Sequence, residues 1–363
     1  MKNQKTYLVT GVAGFIASQT AELLLEQGHR VIGVDNLNDY YDIRLKIYRL
    51  EKLLGTGNRL YERPKVEDID LDATYFRASA ESIRDGKSMA ISSGDFHFYR
   101  LDIEDLDALK ELFEAYSFDA ILNLAARAGV RYSLENPHVY MTTNGNATLN
   151  LLECMRQFSV KKMVLASTSS LYAGQKMPFT EDLAVNTPIS PYAASKKAAE
   201  AMAYSYHYLF DLDISVCRYF TVFGPCGRPD MCLFRFIKWI QEDQPIELFG
   251  DGEQSRDFTF VQDIARGTIA ALKEVGYEVF NLGGGNNPVS LNTLIGWLEE
   301  QLNKKASLEY KPFHKADILT TWANIDKAKQ YIDWEPKTDV FDGVVKTVKW
   351  HQAEDRWLKN IVI

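Results

Sequence analysis

Tyr192 and Lys196 stand four residues apart in Tyr192-Ala-Ala-Ser-Lys196, one helical turn and on one face, where a phenol and an ammonium could move a proton together. A free phenol titrates near ~10, too high for a base at neutral pH. A neighbouring ammonium and a positively charged ring would both favour the phenolate, and lowering its pKa from ~10 to ~7 corresponds to about 4 kcal/mol. Upstream, Leu165-Ala-Ser-Thr-Ser-Ser-Leu-Tyr172 ends an apolar run in hydroxyls. Thr168 there could hydrogen-bond the same substrate oxygen that Tyr192 deprotonates. A Tyr-x-x-x-Lys string alone is often only a helix surface, so the ordered hydroxyl cluster is what gives it weight.

The N-terminal Gly11-Val-Ala-Gly14-Phe-Ile-Ala17 follows an apolar run and opens a helical pattern. Gly11 permits a tight turn, and Gly14 lets backbone amides approach a pyrophosphate at a helix N-terminus, where amides and dipole favour negative charge. Asp35 ends the next strand, 24 residues beyond Gly11, where a carboxylate can accept from both ribose hydroxyls of a dinucleotide. It would repel a 2′-phosphate, and no Arg follows it directly, so NAD is expected rather than NADP. Ala17 replaces the commoner third glycine at small cost.

These groups need a scaffold that brings strand ends together. Strand patterns at Thr6–Thr10, Arg30–Val34, Phe96–Arg100, Ala120–Leu124, Lys162–Ser167 and Ile214–Tyr219 alternate with helical ones at Ala17–Gln27, Asp105–Tyr116, Thr143–Phe158 and Ala193–Phe210. The alternation predicts an α/β fold with a doubly wound parallel sheet, Rossmann-like, ligands lying at the carboxyl ends of its strands. After Thr221 the rhythm breaks, with Pro225, Gly227 and Pro229 close together and a helix at Asn292–Leu302. Residues 1–220 are therefore expected to hold the dinucleotide. Residues 221–363 are expected to form mainly a smaller mixed α/β substrate lobe, with some segments returning to the sheet. Gly55–Ser93 interrupts the pattern with mixed charge, and reads either as a mobile surface insertion or as a lid or subunit contact.

Composition narrows the class. Among 363 residues, 41 Lys and Arg face 49 Asp and Glu, a net charge of −8, which argues against nucleic acid as the partner. Cys154, Cys217, Cys226 and Cys232 form no Cys-x-x-Cys pair and read as reduced thiols; the six histidines show no ligand spacing, so no metal is expected. The N-terminus is too polar for a secretory segment, and no run of eighteen apolar residues occurs, so a cytoplasmic protein away from membranes is expected.

Taken together these motifs resemble the extended short-chain dehydrogenase/reductases, through nearly the whole chain except Gly55–Ser93. More narrowly, the chain is similar to the UDP-glucuronate 4-epimerases in VDNLNDYYDI (34–43), LAARAGVRYSLENP (124–137), RYFTVFGPCGRPDM (218–231), RDFTFVQD (256–263) and NLGGGNNPVSL (281–291). The resemblance implies catalytic roles for Tyr192, Lys196 and Thr168. It implies cofactor contacts at Phe15, Ile16, Asp35, Asn36, Asp102, Ile103, Leu124, Ala126, Asn144 and Tyr219, with Lys196 on the nicotinamide ribose. Arg127 departs from the more usual Gln. Arg228 and Arg256 would face the diphosphate or uridine, and Thr221, Ser169 and Ser170 a sugar carboxylate, with Arg131 as a weaker candidate for the same anion. Asp317 would accept from the uridine ribose or merely cap a helix. A homodimer pairing through Thr143–Phe158 and Ala193–Phe210 is also implied; the aromatic stripe Tyr204, Tyr206, Tyr208 and Phe210 fits packing or such a contact.

The fold also carries sugar-nucleotide dehydratases and decarboxylases, which resemble one another in placing a carboxyl group within the tripeptide that here reads Thr168-Ser169-Ser170. Elimination needs a proton removed that a hydroxyl cannot take near neutral pH, whereas epimerisation needs none. The expected reaction is 4-epimerisation of UDP-glucuronate to UDP-galacturonate through a 4-keto intermediate. A 4-epimerase of a neutral UDP-hexose or UDP-N-acetylhexosamine, a decarboxylase or dehydratase, a net oxidoreductase and a silent NAD sensor stay as alternatives.

Overall fold

The computed structural model describes residues 4–56, 81, 83, 91–285, 288–313 and 319–363. Both readings of the Gly55–Ser93 insertion, apart from its two ends, and both readings of Asp317 lie outside the described residues.

An eight-stranded sheet forms the centre, in the order β12-β7-β6-β5-β1-β2-β4-β3. Its strands are β1 Thr6–Thr10, β2 Arg30–Asp35, β3 Ile91–Ser93, β4 Phe96–Arg100, β5 Ala120–Asn123, β6 Lys162–Thr168, β7 Asp213–Tyr219 and β12 Tyr277–Leu282. All neighbours pair in parallel except β3, which runs antiparallel to β4 at the edge. The centre is apolar because both faces are covered: Leu8, Val9, Ile121, Leu122, Val164 and Val216 are fully buried. The strand order reverses between β1 and its neighbours β2 and β5, which opens a crevice at the strands' carboxyl ends. Thr10, Asp35, Asn123, Thr168 and Tyr219 all end strands at that crevice.

Local chemistry sets the covering helices. Gly14 is the N-cap of α1 (Phe15–Glu26), and Gly28, at φ 82°, closes the turn after it. In α2 (Ile43–Leu54), Asp42 caps by accepting from the Arg44 amide, and Gly55 ends the helix in left-handed geometry. Asp105 caps α3 (Leu106–Ala115) through the Ala108 amide at 3.0 Å. A π-helical turn, Met141–Asn146, leads into α4 (Ala147–Gln157), so the single Thr143–Phe158 helix expected from the sequence begins with a wider turn. Ser190 caps α5 (Pro191–Phe210) through the Ala193 amide, with Pro191 in the first turn.

The smaller lobe is mixed α/β. Here β8 (Thr221–Phe223) pairs in parallel with β11 (Phe258–Phe260), β9 (Ile246–Phe249) with β14 (Leu308–Lys311), and β10 (Ser255–Arg256) pairs antiparallel with β13 (Val289–Ser290). Helices α6 (Cys232–Gln241), α7 (Val261–Ala270), α8 (Leu291–Leu302), α9 (Asp326–Ile332) and α10 (Val340–Ala353) complete it. Phe223, Ile237, Leu248, Phe258, Phe260, Leu298 and Val344 make a core of its own. The lobe is not cut off from the sheet, because β12 returns to pair with β7 and α7 packs on α1. No helix among the described residues is long and apolar enough to cross a membrane. The four cysteines are unpaired, three of them buried.

Candidate active site

The dinucleotide turn is built by exclusion of side chains. Gly11 sits at φ 65°, and a Cβ there would lie 2.7 Å from the Ala125 Cα. A Cβ on Gly14 would lie 2.8 Å from the Gly11 carbonyl oxygen, which instead accepts the Gly14 amide at 2.7 Å. Gly14 offers no side-chain cap, so the first turn of α1 presents its amides and positive dipole end to the crevice. The turn thus fits a dinucleotide pyrophosphate.

Beside it a cavity is lined by Gly11, Gly14, Asp35, Asn36, Asp102, Ile103, Leu124 and Ala126 of the expected cofactor set, together with Asn38, Tyr40, Lys46 and Arg127. Asp35 accepts from the Ala13 amide at 3.2 Å and the Leu37 amide at 2.8 Å, with the Lys46 ammonium 3.8 Å away. Asn36 donates to Asp102 at 2.9 Å. The Leu124 amide donates to Thr10 Oγ1 at 3.1 Å, which holds the β5 end against β1. The pocket thus carries the Asp35 carboxylate in its lining.

The other expected cofactor residues are placed differently. Asn144 is buried; it accepts the Arg127 amide at 2.9 Å and donates to the Arg127 carbonyl and to Ser195 Oγ, tying the β5 loop to α5. The Tyr219 hydroxyl pairs with Thr268 Oγ1 at 2.9 Å, so its phenol is turned toward α7. Phe15 is buried beneath the Arg49 guanidinium, and Ile16 packs on the core.

Thr168, at the end of β6, accepts the Ser170 amide at 3.1 Å, and its hydroxyl faces the Tyr192 phenol and favours the ionised form. Lys196 is not among the groups that lower the Tyr192 phenol in the protein alone. Burial pushes it up, and the groups drawing it down are Thr168 and the Arg228 guanidinium. The Lys196 ammonium instead donates to the Ala166 carbonyl at 2.9 Å. Burial lowers Lys196 to about 8, against the opposing charge of Glu200. Spacing along the chain sets a common helix face but not where the ammonium points, and a buried carbonyl satisfies it.

A cleft of about 900 Å³ adjoins the lobe and contains Arg131, Thr221 and Arg256 along with Asp230, Cys232, Arg235 and Gln254. Arg131 stacks 4.1 Å over the Phe249 ring, and Arg256 donates to the Ser255 and Leu319 carbonyls. Ser169 and Ser170 follow Thr168 on a 3₁₀ turn and are half-buried. Arg228 lies over the Tyr40 ring at 5.6 Å, pairs with Asp230 and reaches the Ala128 carbonyl at 3.4 Å. Its charge also reaches Tyr192, whose phenol it draws down. Among the described residues, no group of three His, Cys, Asp or Glu is arranged to hold a metal.

Residues 7–283 match the model of the NAD dependent epimerase/dehydratase family. The chain belongs to that family. It is 53% identical, over 98% of its length and 99% of the relative's, to a UDP-glucuronate 4-epimerase of Thermodesulfobacterium geofontis. Among solved structures it is similar to the UDP-glucuronic acid 4-epimerase of Bacillus cereus in complex with UDP-glucuronic acid and NAD, with a TM-score of 0.80 and 32% identity over 96% of this chain and 99% of that one. The UDP-glucose 4-epimerase of Thermotoga maritima, solved with UDP-glucose, gives a TM-score of 0.78 and 28% identity over 96% and 99%. Family membership accounts for the Gly11–Gly14 turn, Asp35 and the Tyr192–Lys196 pair standing around one crevice.

Spacing alone missed Lys46, Arg49 and Glu200. Glu200 had a readable signal, four residues beyond Lys196 and hence on the same face. Lys46 and Arg49 had none, since a charged residue in a helix reads as solvent-facing.

Proposed function

We propose that this chain is an NAD-dependent isomerase that interconverts UDP-glucuronate and UDP-galacturonate at C4. The observation that carries the reading is the hydroxyl-only turn Thr168-Ser169-Ser170 beside Tyr192, on a chain 53% identical along nearly its whole length to a UDP-glucuronate 4-epimerase. Bound NAD supplies a reversible hydride acceptor for C4 of the sugar. Gly11, Gly14 and Asp35 would hold it, with Asn36, Asp102, Ile103, Leu124 and Ala126 around the adenosine.

Tyr192 takes the proton from the sugar O4, and Thr168 orients that oxygen and shares the relay. Arg228 and the Thr168 hydroxyl supply the stabilisation that burial opposes. Lys196 remains the residue assigned to the nicotinamide ribose, its ammonium already fixed at Ala166. The 4-keto sugar turns over in the cleft, so that hydride would return to the opposite face of C4, and Tyr192 gives its proton back to O4. Thr221, Ser169 and Ser170 would receive the C6 carboxylate and Arg256 the nucleotide end. Ser169 and Ser170 lack the carboxyl group that elimination requires, which favours epimerisation over dehydration or decarboxylation.

Residues 1–220 would hold the cofactor and 221–363 mainly the nucleotide sugar. A homodimer through α4 and α5 is supported by Tyr204, Tyr208, Leu209 and Phe210, which are exposed along the outer face and end of α5. The unpaired thiols fit a cytoplasmic protein. The test is proton NMR of UDP-glucuronate incubated with purified protein and no added cofactor. The galacturonate anomeric signal is expected; a UDP-xylose signal would reject the argument from Ser169 and Ser170.

A further inference from the structure

Arg49 lies on α2, outside the sugar cleft, yet it is 3% exposed and all five of its N–H donors are engaged. Nη1 donates to the Ala13 carbonyl at 3.0 Å and to the Tyr41 hydroxyl at 2.7 Å. Nε and Nη2 both donate to the Cys226 carbonyl, at 3.2 and 2.7 Å, and Nη2 also reaches the Gly227 carbonyl at 3.3 Å. Ala13 stands inside the glycine turn that receives the pyrophosphate. Cys226 and Gly227 immediately precede Arg228.

One planar guanidinium therefore bridges the cofactor turn and the loop that carries Arg228. Cys226 is held at φ 56°, a left-handed conformation unusual for a side chain larger than hydrogen, and this aims its carbonyl into the fork. Arg228 in turn lies over Tyr40 and draws down the Tyr192 phenol. Resting on the epimerase reading above, we propose that Arg49 is a positioning residue: it locks the Cys226–Gly227 loop to the dinucleotide turn, and so sets where Arg228 meets the sugar nucleotide and the catalytic tyrosine. A lysine keeps the charge but, as a single point donor, cannot span carbonyls on two segments.

The experiment is a double-mutant cycle on the holoenzyme with UDP-glucuronate, using Arg49→Lys, Arg228→Lys and the pair, with bound NAD and melting temperature measured for each. Wild-type turnover tests the epimerase reading separately, because its absence would reject that reading before Arg49 is considered. With wild type active, Arg49→Lys is expected to lower kcat/KM at least tenfold while NAD stays bound. In the Arg228→Lys background the same change should cost less than twofold. Equal factors in both backgrounds, or an unchanged kcat/KM in Arg49→Lys, would overturn the proposal. Arg49→Gln serves as a second variant, and failure of both single variants to fold would assign Arg49 a structural role instead.

Discussion

Glu200 lies one helical turn beyond Lys196 on the buried face of α5, and its carboxylate is the negative charge that opposes the loss of the Lys196 proton. Glu200 is itself held by Arg218, at 2.9 and 2.8 Å, and by the Ser167 hydroxyl at 2.6 Å. Lys196 is an ammonium below about 8 and neutral above it. If catalysis requires the ammonium, kcat falls as pH rises through about 8. Glu200→Gln removes the attraction and moves that alkaline limb to lower pH; a pKa lower by one leaves about tenfold less ammonium on the alkaline side. A kcat–pH profile whose alkaline limb is unmoved in the variant would count against this pairing.

Burying Lys196 has a cost whose sign is fixed by the direction in which its pKa moves. The folded pKa lies below the unfolded value near ~10.4, so the unfolded chain binds more protons between about 8 and 10. The penalty is fully present below pH 8 and is relieved as pH rises across that window. Lys196→Met should abolish turnover yet leave the melting temperature at pH 7 equal to or above that of wild type. A markedly lower melting temperature would show that the Ala166 hydrogen bond outweighs the desolvation.

Gly11 joins backbone conformation to cofactor retention. Ala at φ 65°, with its methyl 2.7 Å from a backbone atom of Ala125, forces the turn apart. Gly11→Ala should co-purify with little NAD and melt several degrees lower, for a strain of about 1–3 kcal/mol. Absorbance of released dinucleotide and a thermal melt check both, and full NAD content would contradict the cradle.

Much of this arrangement is legible in the residues, and the rest is hidden for identifiable reasons. The bounds of β1 and β4 follow from short apolar runs between turn residues, and the crevice follows from strand–helix alternation. Helix α2 escapes such a reading because its buried face includes Arg44, Lys46 and Arg49, which apolar periodicity assigns to solvent. Each is buried because carbonyl or carboxylate oxygens receive it, a relation visible only in three dimensions. Likewise, Arg228 can be tied to the substrate by motif, but its place over the Tyr40 ring depends on the fold of the Pro225–Asp230 loop.

The α5 surface makes a separate prediction. Tyr208 and Leu209 are 75% and 64% exposed, and a dimer through this helix would cover them. Leu209→Glu should halve the mass measured by sedimentation equilibrium at micromolar concentration. A wild-type chain that sediments as a monomer would remove the proposed interface.

Tyr192 carries the central claim, and replacing only its hydroxyl tests it most directly. Purified Tyr192→Phe should retain NAD at wild-type stoichiometry, because Gly11, Gly14 and Asp35 are untouched. Its conversion of UDP-glucuronate, followed by proton NMR, should fall by at least ~10³-fold. Turnover within a few-fold of wild type, with NAD still bound, would contradict the assignment of Tyr192 as the base at O4.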